Sequence, residues 1–274
     1  MEAFSNDLVK YVTFTYLLVW VLYLCNAIIK ARAFGLAASG LAWAALAVHT
    51  AAIVMRWVVS FELREGLGPF SNLFESLVFF GWTLMVIYLI IEIRTKNKTI
   101  GAFTLPLAFF AMLYAVWLDP SIKPLMPALK SNWLIAHVIT CFLGYAAFGV
   151  SAAISTMYLL GPGKTGEVNS SRALALEDLI YQTVAIGFIM LSAGIITGAI
   201  WANKAWGTYW SWDPKETWSL VTWLVYAAML HRRFIAGWGG QRLSWFSLLG
   251  FACVMFTYFG VNFLLTGLHS YATQ

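Results

Sequence analysis

Residues 73–93 read LFESLVFFGWTLMVIYLIIEI and contain only two charged side chains, Glu75 and Glu92. An α-helix rises 1.5 Å per residue, so about 20 apolar residues are needed to cross the hydrocarbon core of a bilayer, which is about 30 Å thick. This segment is long and apolar enough to do so. It predicts that the chain is an integral membrane protein.

Seven other segments of the 274-residue chain share this length and composition. With the first, the predicted spans cover residues 11–30, 36–59, 73–93, 101–118, 133–160, 179–202, 218–238 and 243–266. The fourth is short and contains Pro106. Helices are expected because lipid cannot hydrogen-bond an open backbone. The sequence predicts an all-α polytopic membrane protein, a bundle of about eight transmembrane helices forming one integral membrane domain over residues 1–274.

The composition supports lipid as the main solvent of the chain. Apolar residues make up 61% and charged residues 11%, whereas about a quarter of an average globular chain is charged. The net charge of +5 is spread over short loops, which indicates membrane topology and no nucleic-acid partner. Cys25, Cys141 and Cys253 lie far apart in apolar runs without a C-x-x-C motif, so they are interpreted as packing thiols.

Loop charges predict the orientation of the bundle. Lys and Arg residues number ten in the loops on one side and seven on the other, and tight clusters at 94–98 and 232–233 adjoin span ends on the richer side. Since positive residues concentrate on the inner side, both termini and the loop at 203–217 are expected on the outer side.

Two of the four histidines, His49 and His231, lie inside predicted spans. An ionisable residue there is costly, and neutral imidazole is a common ligand of haem iron. The pair can flank one iron, or each ring can form an ordinary interhelical hydrogen bond. Arg56 follows His49 by seven residues on the same helix face, which suits either a haem propionate partner or an arginine reaching to the interface.

The other two histidines, His137 and His269, fall at the outer ends of the fifth and eighth spans. On the predicted topology they lie at similar height, beside the loop at 203–217. Each alone is typical of an interfacial residue, but as a pair next to an aromatic loop they form a second candidate iron site.

The loop at 203–217 and the residue after it are unusually rich in tryptophan, with Trp206, Trp210, Trp212 and Trp218. Indole rings stack on flat apolar ligands and donate N–H hydrogen bonds, so haem suits this surface. Lys215 can meet a carboxylate of such a ligand. Asp213-Pro-Lys-Glu216 predicts a capping box that opens the seventh helix, rather than a pair of acid–base catalysts.

The pattern Trp206-Gly-x-x-Trp210-x-Trp212-Asp213-x-x-Glu216 resembles the WWD signature of the haem-handling superfamily of cytochrome c assembly proteins. The flanking segments IITGAIWAN at 195–203 and VNFLLTGLHSY at 261–271 resemble the CcsA/ResC branch of System II cytochrome c biogenesis. The similarity extends from about residue 56 to the C-terminus.

This resemblance implies a catalytic subunit of a holocytochrome c synthase that acts with a CcsB/ResB-type membrane partner. Such proteins carry haem b across the bilayer and attach its vinyl groups to the Cys-x-x-Cys-His motif of apocytochrome c. The resemblance implies that His49 and His231 ligate haem within the membrane and that His137 and His269 ligate it at the WWD surface. It also implies a bacterial plasma membrane or a thylakoid membrane. No residue is assigned as catalytic, because positioning of haem and substrate accounts for the chemistry.

Two other functions fit part of the pattern. A haem chaperone of the CcmC type shares the WWD loop but passes haem on without attaching it. A bis-histidine membrane cytochrome b that transfers electrons would use only His49 and His231. The eight predicted spans and the Gly-Leu-His269-Ser-Tyr ending favour attachment.

Overall fold

The computed structural model describes residues 1–63, 70, 72–166, 170–265 and 267. This part of the chain is all-helical and contains no strand, which confirms the predicted all-α class. A 3₁₀ turn at Pro127–Leu129 precedes α5, and a five-residue π-helix at Phe256–Gly260 joins α9 to α10. The α-helices are α1 Glu2–Ile29, α2 Arg32–Leu63, α3 Leu73–Thr95, α4 Thr99–Val116, α5 Asn132–Leu160, α6 Pro162–Thr165, α7 Ser171–Trp206, α8 Pro214–Ala236, α9 Gly240–Met255 and α10 Val261–Leu264.

Seven helical segments of the described chain are long and apolar enough to cross a membrane. They coincide with seven of the eight predicted spans, and α4 continues through Pro106. The remaining predicted span, 218–238, lies in α8, which forms as a helix but is less apolar. Its polar ends, Lys215-Glu216 and His231-Arg-Arg, account for the lower apolar content. The helix count is therefore near the predicted eight.

Several helices extend beyond the apolar segments that predict them. Helix α7 begins at Ser171, eight positions before the predicted span, because the Ser170 side chain caps it by accepting from the Ala173 N–H at 3.1 Å. It ends at Trp206 and is followed by Gly207, whose φ of 82° suits glycine. Hydropathy marks only the lipid-embedded part of a helix, whereas capping residues set its ends.

The chain divides by its contacts into two compact units, Met1–Ile135 and Ala136–Gln274. In the first unit α1 packs on α2 and α4, and α3 packs on α4 and α2. Hydrogen bonds link these helices: the Trp20 indole donates to the Ala102 carbonyl at 3.0 Å, and the Trp82 indole donates to the Thr50 hydroxyl at 2.9 Å.

A buried carboxylate, Glu92, ties the four helices of the first unit together near the ends of α1 and α3. It accepts hydrogen bonds from the Tyr23 and Tyr88 hydroxyls, each at 2.5 Å, and from the Ser39 hydroxyl. The Lys98 ammonium lies 3.1 Å from it. A charge inside a bundle is stable only when it is paired and hydrogen-bonded, and this network satisfies both conditions.

In the second unit α5, α7, α8 and α9 pack through small residues and stacked rings. A Cβ on Gly144 of α5 would lie 3.1 Å from the Gly187 carbonyl of α7, so these backbones approach closely. Phe148 of α5 stacks on Tyr226 of α8 with centroids 3.6 Å apart. The Ser151 hydroxyl of α5 lies 2.8 Å from that of Ser247 on α9.

Candidate functional site

His49 lies on α2 with its side chain fully buried. Its Nδ1 atom is 2.8 Å from the Tyr16 hydroxyl of α1, and the two rings meet edge-on with centroids 5.6 Å apart. The Nε2 atom is buried and has no hydrogen-bond partner among the described residues. One ring nitrogen is therefore held by Tyr16, whereas within the described part of the chain Nε2 forms no hydrogen bond of ordinary geometry, although the backbone of Val78 on α3 also interacts with the ring.

His137 lies on the first turns of α5 and is half-buried. Its Nδ1 atom is 2.8 Å from the Gly194 carbonyl oxygen of α7. A carbonyl can only accept, so Nδ1 carries the proton and the lone pair of the neutral ring resides on Nε2. When a histidine ligates a metal through one nitrogen, its other nitrogen commonly donates to a backbone carbonyl in this way.

Glycines on α7 provide the space for the His137 ring. A Cβ on Gly198 would lie 2.6 Å from His137 Nδ1, and a Cβ on Gly194 would lie 2.5 Å from the sulfur of Cys141. The thiol of Cys141, one turn beyond His137, is itself 3.6 Å from Nδ1. The ring therefore sits in a groove that exists because these α7 positions carry no side chain.

A buried tryptophan connects His137 to the Trp-rich loop. Trp201 stacks on His137 with centroids 6.1 Å apart and an interplanar angle of 18°. Trp201 also contacts Trp206 of the Trp-rich segment, with ring centroids 4.8 Å apart. The sequence prediction missed Trp201, because a tryptophan near the end of an apolar span is usually an interfacial anchor.

The four predicted tryptophans occupy different environments. Trp206 and Trp210 are half-buried, Trp212 is 68% exposed, and Trp218 packs on Phe256 of the π-helix with centroids 4.2 Å apart. Trp210 and Trp212 meet at right angles, 5.8 Å apart. The loop thus presents indole rings at its surface and anchors its far end in the π-helix.

Trp212 is held in a left-handed backbone conformation, with φ of 58°. This region is unfavourable for a bulky residue. Glu216 stabilises it, because the carboxylate oxygen Oε2 accepts from the backbone N–H groups on both sides, Ser211 at 2.7 Å and Asp213 at 3.1 Å. The predicted capping box of Asp213 and Glu216 is confirmed, and its glutamate also fixes the direction of Trp212.

His231 lies on α8 in the second unit and is exposed. The end of α8 that carries it is fixed by Arg233, which pairs with Glu177 and Asp178 of α7 at 3.6 and 3.3 Å. His49 belongs to the first unit, so its pairing with His231 stays a prediction. His269 lies outside the described residues; Gly267 is described, and a Cβ there would contact the Asp213 carboxylate.

The two predicted propionate partners are in different states. Arg56 is buried and paired with Glu75 at 3.2 Å, and it also donates to Asn6 at 3.0 Å and to the Pro120 carbonyl at 2.6 Å. Its charge is already compensated within the first unit. Lys215 is half-buried in the first turn of α8, and burial lowers the pKa of its ammonium group to about 8 although Asp213 opposes the shift.

A haem site needs fewer protein ligands than a site for a bare metal ion. Within the described ranges no group of three or more His, Cys, Asp or Glu side chains lies together. Haem iron needs only one or two axial imidazoles, because the porphyrin supplies the other ligands. His49, with its buried and unpartnered Nε2 atom, and His137, with its lone pair on Nε2, both meet this requirement.

Comparison with known proteins agrees with this fold. The sequence model of the family described as cytochrome C assembly protein matches residues 70–269. Cytochrome c biogenesis protein CcsA of Guillardia theta is 40% identical over 254 residues, covering 82% of this chain and 83% of the relative. CcsA of Synechococcus elongatus is 38% identical over 291 residues, covering 86% and 88%.

A solved structure of cytochrome c heme lyase CcmF superposes with a TM-score of 0.73 at 20% sequence identity. The superposition covers 97% of this chain and 47% of the CcmF chain, and it supports the fold. These findings define an integral membrane protein of the cytochrome c assembly class. Within that class, the chain belongs to the CcsA family of cytochrome c biogenesis proteins, which confirms the resemblance seen in the sequence.

Proposed function

We propose that this protein carries haem b across the membrane and presents it at the outer face for attachment to apocytochrome c, with a CcsB/ResB-type membrane partner. The observation that carries the proposal is the state of His137. Its Nδ1 proton is bound by the Gly194 carbonyl and its ring is stacked on Trp201. Nε2 is thereby the atom that ligates iron, next to the Trp-rich loop.

The attachment chemistry is addition of two thiols to two vinyl groups. In each addition a carbon–sulfur bond forms and the thiol hydrogen ends on the neighbouring vinyl carbon, so the step is redox-neutral. The protein contributes position, since a reaction between held partners gains from proximity. The acidic residues of the loop support this role, because Asp213 and Glu216 are occupied in capping α8.

We assign the remaining predicted residues in the same scheme. His49 and His231 ligate haem within the membrane, and His137 with His269 ligates it at the outer site. Trp206, Trp210, Trp212 and Trp218 form the stacking surface. Lys215 meets a propionate at the outer site, and Arg56 stays a candidate for the same role near His49. The membrane is a bacterial plasma membrane or a thylakoid membrane, with both termini on the outer or lumenal side.

The test is co-expression of the chain with a CcsB-type partner and a Cys-x-x-Cys-His substrate, followed by extraction of non-covalent haem. Wild-type protein is expected to yield extraction-resistant haem on the substrate. The His137→Gly variant is expected to abolish attachment while haem still co-purifies, and His49→Gly is expected to lower co-purified haem itself. Each variant is thus the control for the other site.

Two outcomes would replace the proposal. If the protein is fully loaded with haem but forms no covalent product when the partner is present, it is a haem chaperone of the CcmC type. Haem that is retained through reduction and oxidation and never reaches the substrate would identify a membrane cytochrome b. Unchanged absorption spectra in all four His→Gly variants would show that the ligand assignment is wrong.

A further inference from the structure

Tyr16 is the polar side chain that holds His49. Both side chains are fully buried, Tyr16 on α1 and His49 on α2. The hydroxyl oxygen lies 2.8 Å from Nδ1, which is an ordinary length for a hydrogen bond. A buried imidazole without such a bond would have two unsatisfied nitrogens, which is costly in an apolar interior. The contact therefore fixes which ring nitrogen is held by the protein.

The orientation that results leaves Nε2 as the unpartnered atom. Rotation of the ring by half a turn would exchange the two edges of the imidazole and break the bond to Tyr16. Since the hydroxyl oxygen can accept a hydrogen bond, it can accept one from Nδ1–H when the Nε2 lone pair is used by iron. The Gly194 carbonyl plays the same part for His137.

We propose that Tyr16 is a positioning residue for haem, holding His49 with Nε2 directed at the iron and accepting the Nδ1 hydrogen bond in the haem-bound state. This inference rests on the proposed function, in which His49 ligates haem. Outer hydrogen-bond partners of ligating histidines fix the tautomer and raise the basicity of the ligand. Tyr16 therefore sets the strength of the iron–His49 bond without touching the haem.

The chain offers a matched control in Tyr23. It lies seven residues after Tyr16 on the same face of α1, is equally buried, and donates its hydroxyl proton to Glu92 instead of contacting His49. Tyr16→Phe and Tyr23→Phe each remove one buried hydroxyl from the same helix. Only the first removes a group bonded to the candidate ligand.

The experiment measures haem content, the reduced absorption spectrum and the midpoint potential of full-length protein purified with its haem. Tyr16→Phe is expected to weaken haem binding about tenfold to a hundredfold. It is also expected to raise the midpoint potential, because a less basic imidazole stabilises ferric iron less. Tyr23→Phe is expected to keep the wild-type spectrum and potential, even where its thermal stability falls.

A substitution that keeps the shape of the side chain guards against loss of folding. Difluorotyrosine placed at position 16 retains the ring and the hydroxyl but weakens the oxygen as an acceptor, and it is expected to raise the potential in the same direction. Wild-type haem content, spectrum and potential in both position-16 variants would overturn the inference. An unchanged spectrum in His49→Gly would instead overturn the ligand assignment in the proposed function, so the two failures are distinguishable.

Discussion

His137 and Gly194 form a contact between α5 and α7 in which the histidine Nδ1 donates to the glycine carbonyl at 2.8 Å. The contact is possible because α7 has glycine at 194 and again at 198, one turn further along. The Gly194 carbonyl selects the tautomer of the ring. The absence of a Cβ at both glycines leaves the space that the ring occupies.

We expect Gly198→Ala to displace the His137 ring, because the added Cβ would lie 2.6 Å from Nδ1. Attachment of haem to the substrate should fall strongly, while haem bound through His49 is retained. The measurement is covalent product together with co-purified haem. Gly40→Ala is the control, since a Cβ there meets nothing within 4 Å; equal losses in both variants would contradict the steric explanation.

We predict that Trp212 is needed for attachment although its backbone conformation lowers the stability of the protein. Trp212→Gly should abolish attachment but leave the thermal unfolding temperature unchanged or higher, since glycine relieves about 1 kcal/mol of left-handed strain. The control is Trp117→Gly, which removes an 82% exposed indole at a φ of −86°. It should lower stability slightly and leave attachment intact. A marked drop in stability for Trp212→Gly would show that its role is structural.

Asp213 tests capping against acid–base catalysis. Asparagine caps a helix about as well as aspartate, whereas alanine costs about 1 kcal/mol. We therefore expect Asp213→Asn to keep both stability and attachment activity, and Asp213→Ala to lose about that amount of stability. Thermal unfolding and the covalent haem assay measure the two effects. An inactive but fully stable Asp213→Asn variant would support a catalytic carboxylate instead.

We expect haem binding at the outer site to depend on pH through the charge of Lys215. Burial lowers the pKa of its ammonium group to about 8, so the charge that attracts a propionate is present below that pH and is lost as the pH rises through it. Haem binding should weaken between pH 7 and 9, with values chosen about one unit on either side of the pKa. The free energy of unfolding should rise with pH between about pH 8 and 10.5. In this range the folded state binds fewer protons than the unfolded state, because the pKa of Lys215 is lower in the folded protein.

The matched variants for this prediction are Lys215→Arg and Lys215→Met. The first keeps its charge over the whole range, so its haem binding should not vary with pH, and the second should bind more weakly at every pH. Equilibrium haem titration of the protein measures both. A pH profile in Lys215→Met identical to that of the wild type would assign the titration to another group.

Glu92 is predicted to stabilise the first unit. Glu92→Gln removes the charge that compensates Lys98 and weakens the bonds to two tyrosine hydroxyls. Lys98 is partly exposed, so breaking this pair should cost less than the roughly 3 kcal/mol of a fully buried one, and the thermal unfolding temperature in detergent should still fall. In Asp7→Asn the lost pair with Lys10 is half-exposed, and the cost should stay below about 1 kcal/mol. Equal shifts would mean that the Glu92 network adds no stability.

Local sequence signals predicted the helices well. Apolar segments of sufficient length located seven spans and the core of α8, and the capping box at Asp213 and Glu216 formed as expected. These features depend on residues close together in the chain. The first residues of α7 lie before the predicted span, because capping by Ser170 starts the helix in polar sequence.

The partners of the site residues could not be predicted in this way. Arg56 is buried and pairs with Glu75 of α3, a contact that no pattern within α2 indicates. Tyr16 and Trp201 carried no signal, since a tyrosine or a tryptophan in an apolar span is typical of many membrane helices. Their importance comes from which helix packs against which, a property that periodicity in one segment does not contain.

Composition and local patterns were enough to predict that the chain is helical and lipid-embedded, where its spans lie, and which residue types could bind iron. Which nitrogen of His49 and of His137 is held depends on the packing of the helices. For His49 the deciding group is the Tyr16 hydroxyl, 33 positions away, and for His137 it is the Gly194 carbonyl, 57 positions away. The physical reason is that an imidazole has two nearly equivalent nitrogens, and the hydrogen bond made by one of them selects the other as ligand.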